Sequence, residues 1–286
     1  MIISELRTYF FKELKEGYPE EEIHSFFYLL TEYYLNMKRL DVSLHLNQLV
    51  SEKSQLKFEQ AINRLKSQEP IQYILGETAF LGRSFKVTPA TLIPRPETEE
   101  LVYWIVSHYV QASEGLSILD IGTGSGCIAV SLGAELNGTE ITAIDVSEEA
   151  INIAKKNANQ HKVGVNFVQI DVLDGMTMEA KFDLIVSNPP YVRMLEKTQM
   201  QPNVLNHEPS LALFVSDQEP LIFYHKIAQF AKSNLREGGH LFFEINEYLS
   251  KELVQLLQKE GFKSVEVMQD LFGKDRMLKC NLHEKS

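Results

Sequence analysis

The sequence predicts an α/β fold in which a mostly parallel seven-stranded sheet, covered by helices and finished by an antiparallel hairpin, follows a small helical bundle and a β-hairpin linker. Three observations predict it. Apolar residues fall at helical spacing through the first 75 residues. From Leu116 onward, short β-branched runs alternate with helical ones. The last two such runs are separated only by residues 269–275, too few for the crossover of a dozen or more residues that parallel pairing needs.

Taken in chain order, Ile23, Phe26, Phe27, Leu30, Tyr34 and Met37 form one apolar face, and Phe58, Ala61, Ile62 and Leu65 form another, so residues 1–75 read as a helical bundle. Pro19 can open one helix, where its missing NH costs nothing, and the polar stretch 51–54 can start a second. The pattern then changes: segments 78–81 and 84–87 flank Gly82-Arg83 as a hairpin, which sets a linker at 76–95. Pro96 with Glu97, Glu99 and Glu100 makes a favourable first turn for a helix through Val110, and a second domain, 96–286, begins there. Strands are expected at 117–121, 140–145, 165–170, 182–187 and 240–245. Helices are expected from Ser125, from Glu148 behind a Ser147 cap, over 220–235 and over 248–258. Strands 263–268 and 276–282 close the sheet as the antiparallel pair. This is the layout of a class I, Rossmann-like methyltransferase domain and not of a plain dinucleotide-binding fold.

At 286 residues the chain suits a core domain with an appendage, and its 44% hydrophobic content excludes a disordered polymer. A formal charge of −11 argues against a protein that grips phosphate backbones, so stable nucleic-acid binding is not expected. Cys127 and Cys280 lie far apart and outside zinc spacing, and none of the 8 His shows metal-ligand spacing, so neither a disulfide framework nor a metal site is expected. The first turns mix in Glu5, Arg7, Lys12 and Glu13, and no apolar run approaches the ~20 residues that span a bilayer. A cytoplasmic, membrane-free monomer is the expectation.

Residues 119–126 end a strand and enter a helix, with Gly122, Thr123, Gly124, Ser125 and Gly126 offering bare backbone and outward-pointing NH groups to a ligand. Asp145 ends the next strand about twenty residues on, where an acid accepts hydrogen bonds from ribose hydroxyls. Ribose alone does not separate adenosylmethionine from NAD. The third glycine is Gly126, however, and Cys127 occupies the place where the NAD-type spacing needs glycine, which favours S-adenosyl-L-methionine. Asp171, after the third strand, either accepts from the adenine amino group with Val172 packed on the ring or simply starts a turn.

Ser187-Asn188-Pro189-Pro190-Tyr191 follows the strand 182–187 at the carboxyl end of the sheet, where ligands bind. The two prolines remove NH donors and stiffen the loop, keeping the neighbouring carbonyls available as acceptors. An amide or aniline-like NH2 is a poor nucleophile because its lone pair is delocalised, so positioning must do most of the work. Asn188 and the Pro189 carbonyl, each accepting one N–H, would turn such a nitrogen toward a sulfonium methyl. Pro190 and Tyr191 would complete the substrate site, the Tyr191 ring stacking on the planar group. Asn188 is also counted with the cofactor-binding residues. Arg95 either meets the cofactor carboxylate or tethers its loop to an acid such as Glu208, and Glu244 either faces the site or is a structural acid at a strand end.

These segments resemble the PrmC/HemK family, the peptide chain release factor glutamine methyltransferases. Residues 91–99 (Thr-Leu-Ile-Pro-Arg-Pro-Glu-Thr-Glu) are similar to that family's signature ahead of the catalytic domain, 120–129 to its glycine loop, 186–191 to its catalytic motif and 270–276 to its terminal segment. Asn246, where glycine is expected, and Val172, where an aromatic residue is common, depart from the pattern. The resemblance implies methyl transfer from S-adenosylmethionine to the glutamine of the Gly-Gly-Gln motif in release factors. It further implies that Asn188 and Pro189 hold that glutamine and that the helical domain contacts the factor. An adenine-amino methyltransferase acting on nucleic acid uses a similar motif and is the alternative.

Overall fold

A computed structural model describes residues 1–110 and 115–282. The chain forms two compact units: Met1–Gly76 together with Gln201–His207, and Glu77–Met200 together with the chain from Glu208 onward.

The first unit contains α1 (Ile3–Leu14), α2 (Glu20–Leu35), α3 (Arg39–Leu44), α4 (Glu52–Lys66) and α5 (Ile71–Leu75). Their apolar faces meet in one core built around Phe10, Phe27 and Phe58, whose rings pack at 5.6–6.3 Å. Pro19 caps α2, and the Ser51 hydroxyl caps α4 by accepting from the Ser54 amide at 3.2 Å. The α2 periodicity stops short of Met37: Asn36 adopts a left-handed cap, yet Met37 still folds into the core. Residues 201–207 were expected to belong to the second domain. Instead they join this unit, and a His207 ring nitrogen lies 2.8 Å from the Ser67 carbonyl.

The second unit opens with a hairpin, β1 (Glu77–Phe80) and β2 (Arg83–Lys86). Its turn is Leu81-Gly82, one residue earlier than the sequence suggested, with φ of 48° and 70°. Paired strands favour turns with positive φ at both central residues. Leu81 is held there by Glu99, which accepts from its amide at 2.7 Å.

The rest is α6 (Pro96–Tyr109), β3 (Ser117–Ile121), α7 (Cys127–Glu135), β4 (Glu140–Asp145), α8 (Glu148–His161), β5 (Val165–Gln169), β6 (Phe182–Ser187) and β7 (Val192–Arg193), followed by a 3-10 turn at Met194–Gln199. After α9 (Pro202–His207) in the first unit come α10 (Ser210–Leu213), β8 (Phe214–Val215), α11 (Ile222–Asn234), β9 (Leu235–Glu244), α12 (Ser250–Lys259), β10 (Lys263–Gln269) and β11 (Asp275–Asn281). The main sheet is seven-stranded in the order β10-β11-β9-β6-β3-β4-β5, and only β11 pairs antiparallel with its neighbours. The order reverses beside β3, so the ends of β3, β4 and β6 open a crevice. Separate apolar layers cover the two faces, Leu184 lying in one and Ile185 in the other, so β6 is buried on both sides.

Helix α7 is drawn tightly against β4 at Gly133, where an added Cβ would meet Val163 Cγ1 at 2.3 Å and Ile141 Cδ1 at 2.8 Å. Helix propensity alone credits Gly133→Ala with ~1 kcal/mol of stabilisation, whereas overpacking typically costs ~1–3 kcal/mol. The clash should win, and urea denaturation should show a lower midpoint for the variant.

Candidate active site

The loop between β3 and α7 is shaped by three glycines in left-handed backbone, Gly122, Gly124 and Gly126, with φ of 74°, 56° and 80°. The helix expected from Ser125 therefore starts at Cys127, because Gly126 is its left-handed cap. At Gly126 a Cβ would stand 3.0 Å from that of Ala154, so the position also requires a small residue for contact with α8. Amides of Gly122 and Thr123 both donate to the Ile144 carbonyl at 2.9 Å. The Gly124 amide donates to Asp145 Oδ2 at 2.8 Å, while Asp145 Oδ1 accepts from the Ser147 amide at 2.9 Å. Asp145 thus fixes both the loop and the start of α8, and each of its oxygens keeps a lone pair for another donor.

Two supporting residues escaped the sequence reading. Asp120 Oδ2 accepts from the Thr123 hydroxyl at 2.6 Å and the Ala129 amide at 3.2 Å, bracing the loop from below. Asn157 on α8 donates to the Ser125 carbonyl at 2.8 Å and exchanges two hydrogen bonds with the Lys86 backbone, tying the loop to β2. Nothing local marks Asn157, since a polar residue in mid-helix ordinarily faces water.

This loop forms one wall of a cleft of about 330 Å³, within the range of small-molecule sites. Asp145, Asp171, Val172, Asn188, Pro189 and Pro190 also line it. Helices α10 and α11 add Leu211, Phe223 and Ile227. Asp171 does start a turn, its Oδ1 accepting from the Leu173 amide at 2.8 Å, yet it stands in the cleft wall as well. Arg95 is tethered: its Nη2 lies 2.5 Å from Oε1 of buried Glu208, whose Oε2 accepts from the Ile93 amide at 3.2 Å.

Tyr191 departs from the stacking role expected of it. It is not part of the cleft wall: its ring packs against the core and its hydroxyl donates to Glu244 Oε1 at 2.9 Å. Glu244 is fully buried and accepts a second hydrogen bond, from the Thr98 hydroxyl, at 2.6 Å. It is the structural acid of the two readings, and a buried carboxylate needs those donors. Asn246, where glycine was expected, shapes the same region by donating to the Tyr191 carbonyl at 3.0 Å and to Glu196 Oε2 at 3.1 Å.

Burial holds the carboxyl groups of Asp120, Asp145 and Glu244 above the usual carboxylate range, Asp120 at about 7. A pKa higher in the folded than in the unfolded chain contributes stability that is complete below the unfolded value and is lost as pH rises through the folded one. For Asp120 that window runs from 3.8 to about 7. At ~1.4 kcal/mol per unit, the cost across it is on the order of a few kcal/mol. The ligand-free wild type should therefore lose stability relative to Asp120→Asn between pH 5 and 8. Urea midpoints for the two proteins across that range check it.

Comparison with known proteins places this geometry. Residues 5–76 match the family model of the PrmC N-terminal domain and residues 104–209 that of the methyltransferase small domain. A solved methyltransferase from Pyrococcus furiosus shares the fold, with a TM-score of 0.53 at 21% identity over 78% of this chain and 98% of its own. The release factor glutamine methyltransferase of Flavobacterium psychrophilum is 48% identical over 98% of this chain and 99% of its own length. That of Bacteroides thetaiotaomicron is 42% identical over 98% and 100%. Matched over nearly its whole length at such identity, with its glycine loop and Asn188-Pro189-Pro190 lining one cleft, the chain belongs to the release factor glutamine methyltransferase family.

Proposed function

We infer that the chain transfers a methyl group from S-adenosylmethionine to the side-chain amide nitrogen of the glutamine in the Gly-Gly-Gln motif of peptide chain release factors. The observation that carries this reading is that Asn188, Pro189, the glycine loop and Asp145 line a single cleft. The cleft suits the cofactor on its own terms. The loop lines it with bare backbone where a ligand must approach closely, and Asp145 keeps lone pairs for further donors. When bound, S-adenosylmethionine supplies an electrophilic methyl carbon on a sulfonium. Asp145 is proposed to hold the ribose hydroxyls, Gly122, Thr123, Gly124, Ser125 and Gly126 to line the nucleoside and amino-acid portions, and Asp171 and Val172 to border the adenine.

Asn188 Oδ1 and the Pro189 carbonyl are proposed to accept the two N–H bonds of the substrate amide. Acceptors on both hydrogens fix the nitrogen's face, and alignment of two bound reactants can supply ~7–11 kcal/mol without a strong base. Pro190 stiffens this loop, while Tyr191 supports it from the core side.

The helical unit is proposed to recognise the release factor outside the Gly-Gly-Gln segment. It exposes Leu40, Leu44, Leu49 and Leu56 at 58–78% of their surface, apolar side chains available to a protein partner. The working form is proposed to be a monomer. The net charge of −11 speaks against a nucleic-acid substrate, and work on release factors is cytoplasmic work.

Mass spectrometry of a release factor incubated with enzyme and S-adenosylmethionine should find one methyl group on the Gly-Gly-Gln glutamine. A methyl group on DNA or RNA instead would refute the assignment. Asn188→Ala should lose about 2 kcal/mol of transition-state stabilisation, roughly thirtyfold in kcat, with cofactor affinity largely kept. Asp145→Ala should instead weaken cofactor binding by ~1.5–3 kcal/mol, as read by titration calorimetry.

A further inference from the structure

A carboxamide carries a donor and an acceptor of nearly equal size, and a half-turn about its last torsion exchanges them. A site that must accept two N–H bonds therefore works with Asn188 in one orientation only. In the other, an NH2 would confront an NH2. Within the second unit a chain of hydrogen bonds bears on this choice. Asn188 Nδ2 lies 3.2 Å from Thr98 Oγ1, Thr98 Oγ1 lies 2.6 Å from Glu244 Oε2, and the Tyr191 hydroxyl lies 2.9 Å from Glu244 Oε1.

The direction of the chain follows from how many protons each group has. Glu244 is the acceptor at both of its oxygens, from the Thr98 and Tyr191 hydroxyls; burial raises its pKa, while these two donors and Arg276 nearby favour the charged, accept-only form. Thr98 has one hydroxyl proton, committed to Glu244. It can meet Asn188 only with a lone pair, so the group it faces must be the Asn188 NH2. We propose that Glu244, acting through Thr98, sets which way round the Asn188 side chain stands and so makes the cleft an acceptor for an NH2 group. Thr98 and Glu244 are positioning residues. Tyr191 holds the second Glu244 oxygen and keeps the carboxylate from rotating away.

The geometry explains features that the methyl-transfer chemistry leaves without a purpose. Thr98 is buried in the first turn of α6, two residues after Pro96, and a β-branched residue there gains little from helix propensity. Glu244 is an acid buried at the end of β9, a costly placement for a residue with only a packing role.

The inference rests on the assignment of Asn188 as the amide-holding residue, and two readouts on the full-length chain separate the claims. In the first, side-chain amide NMR follows the Asn188 NH2 protons, assigned by comparison with Asn188→Asp. They should exchange slowly with water in the wild type and in Thr98→Ser, and at least tenfold faster in Thr98→Val. In the second, Thr98→Val should lose at least tenfold in kcat for methylation of a release factor with KM for S-adenosylmethionine within threefold. Thr98→Ser, which restores the hydroxyl, should recover to within threefold of wild type. A Val variant within twofold of wild-type kcat, a Ser variant as slow as Val, or fast exchange already in the wild type would each overturn the proposal. Should the amide be held and released as stated while the wild type leaves release factors unmethylated, the positioning chain stands and the substrate assignment falls.

Discussion

The site depends on the parallel pairing of β3 with β6. Ile121 and Ser187 end those strands in register, and the Ser187 hydroxyl donates to the Ile121 carbonyl at 2.7 Å. That pairing sets the glycine loop leaving β3 beside the Asn-Pro-Pro-Tyr segment leaving β6. The approach is close: a Cβ on Gly122 would lie 4.0 Å from the Asn188 carbonyl oxygen. Both loops leave the same edge of a sheet buried on both faces, so they inherit its rigidity. A reaction that relies on aligning a weak nucleophile needs just that rigidity.

A second theme is the burial of acids beneath the cleft. Asp120, Asp145 and Glu244 each accept two hydrogen bonds from fixed donors, and each serves as a brace for a loop above it. Burial raises the pKa of all three, so the fold gives up stability at neutral pH to keep them there. In its ionised form a carboxylate only accepts, and a group with no proton to donate dictates the direction of every hydrogen bond that reaches it. Asp145 orients backbone amides in this way, and Glu244 orients a hydroxyl.

Much of this was readable in the sequence where local chemistry decides structure. Strands β3, β4 and β6 begin and end where β-branched runs give way to turn residues, and the short spacing before β11 dictated its antiparallel pairing. Gly122 to Ser125, Asp145, Asn188 and Pro189 converge on one cleft because each sits at or just beyond a strand end, a position that periodicity locates well, whereas Gly126 packs on Ala154 and is not part of the cleft wall. What could not be read depends on contacts distant along the chain. Asn157 reaches across 71 residues to Lys86, and Thr98 meets Glu244 across 146. Residues 201–207 joined the helical unit although they lie deep within the second domain's sequence, because nothing in a short polar helix announces its partner. Tyr191 was misplaced for a related reason. An aromatic residue beside a catalytic loop can face substrate or core, and only the buried Glu244 carboxylate, invisible in the local sequence, decides between them.

The proposed reaction turns on two acceptor oxygens from a proline-stiffened loop that would hold a flat nitrogen in place beside the cofactor. A crystal structure of the full chain with S-adenosylhomocysteine and a bound release factor tests it directly. The account predicts the Gly-Gly-Gln side-chain nitrogen within ~2.7–3.2 Å of both Asn188 Oδ1 and the Pro189 carbonyl oxygen. A glutamine nitrogen bound elsewhere, or an Asn188 side chain presenting Nδ2 to it, would contradict the account.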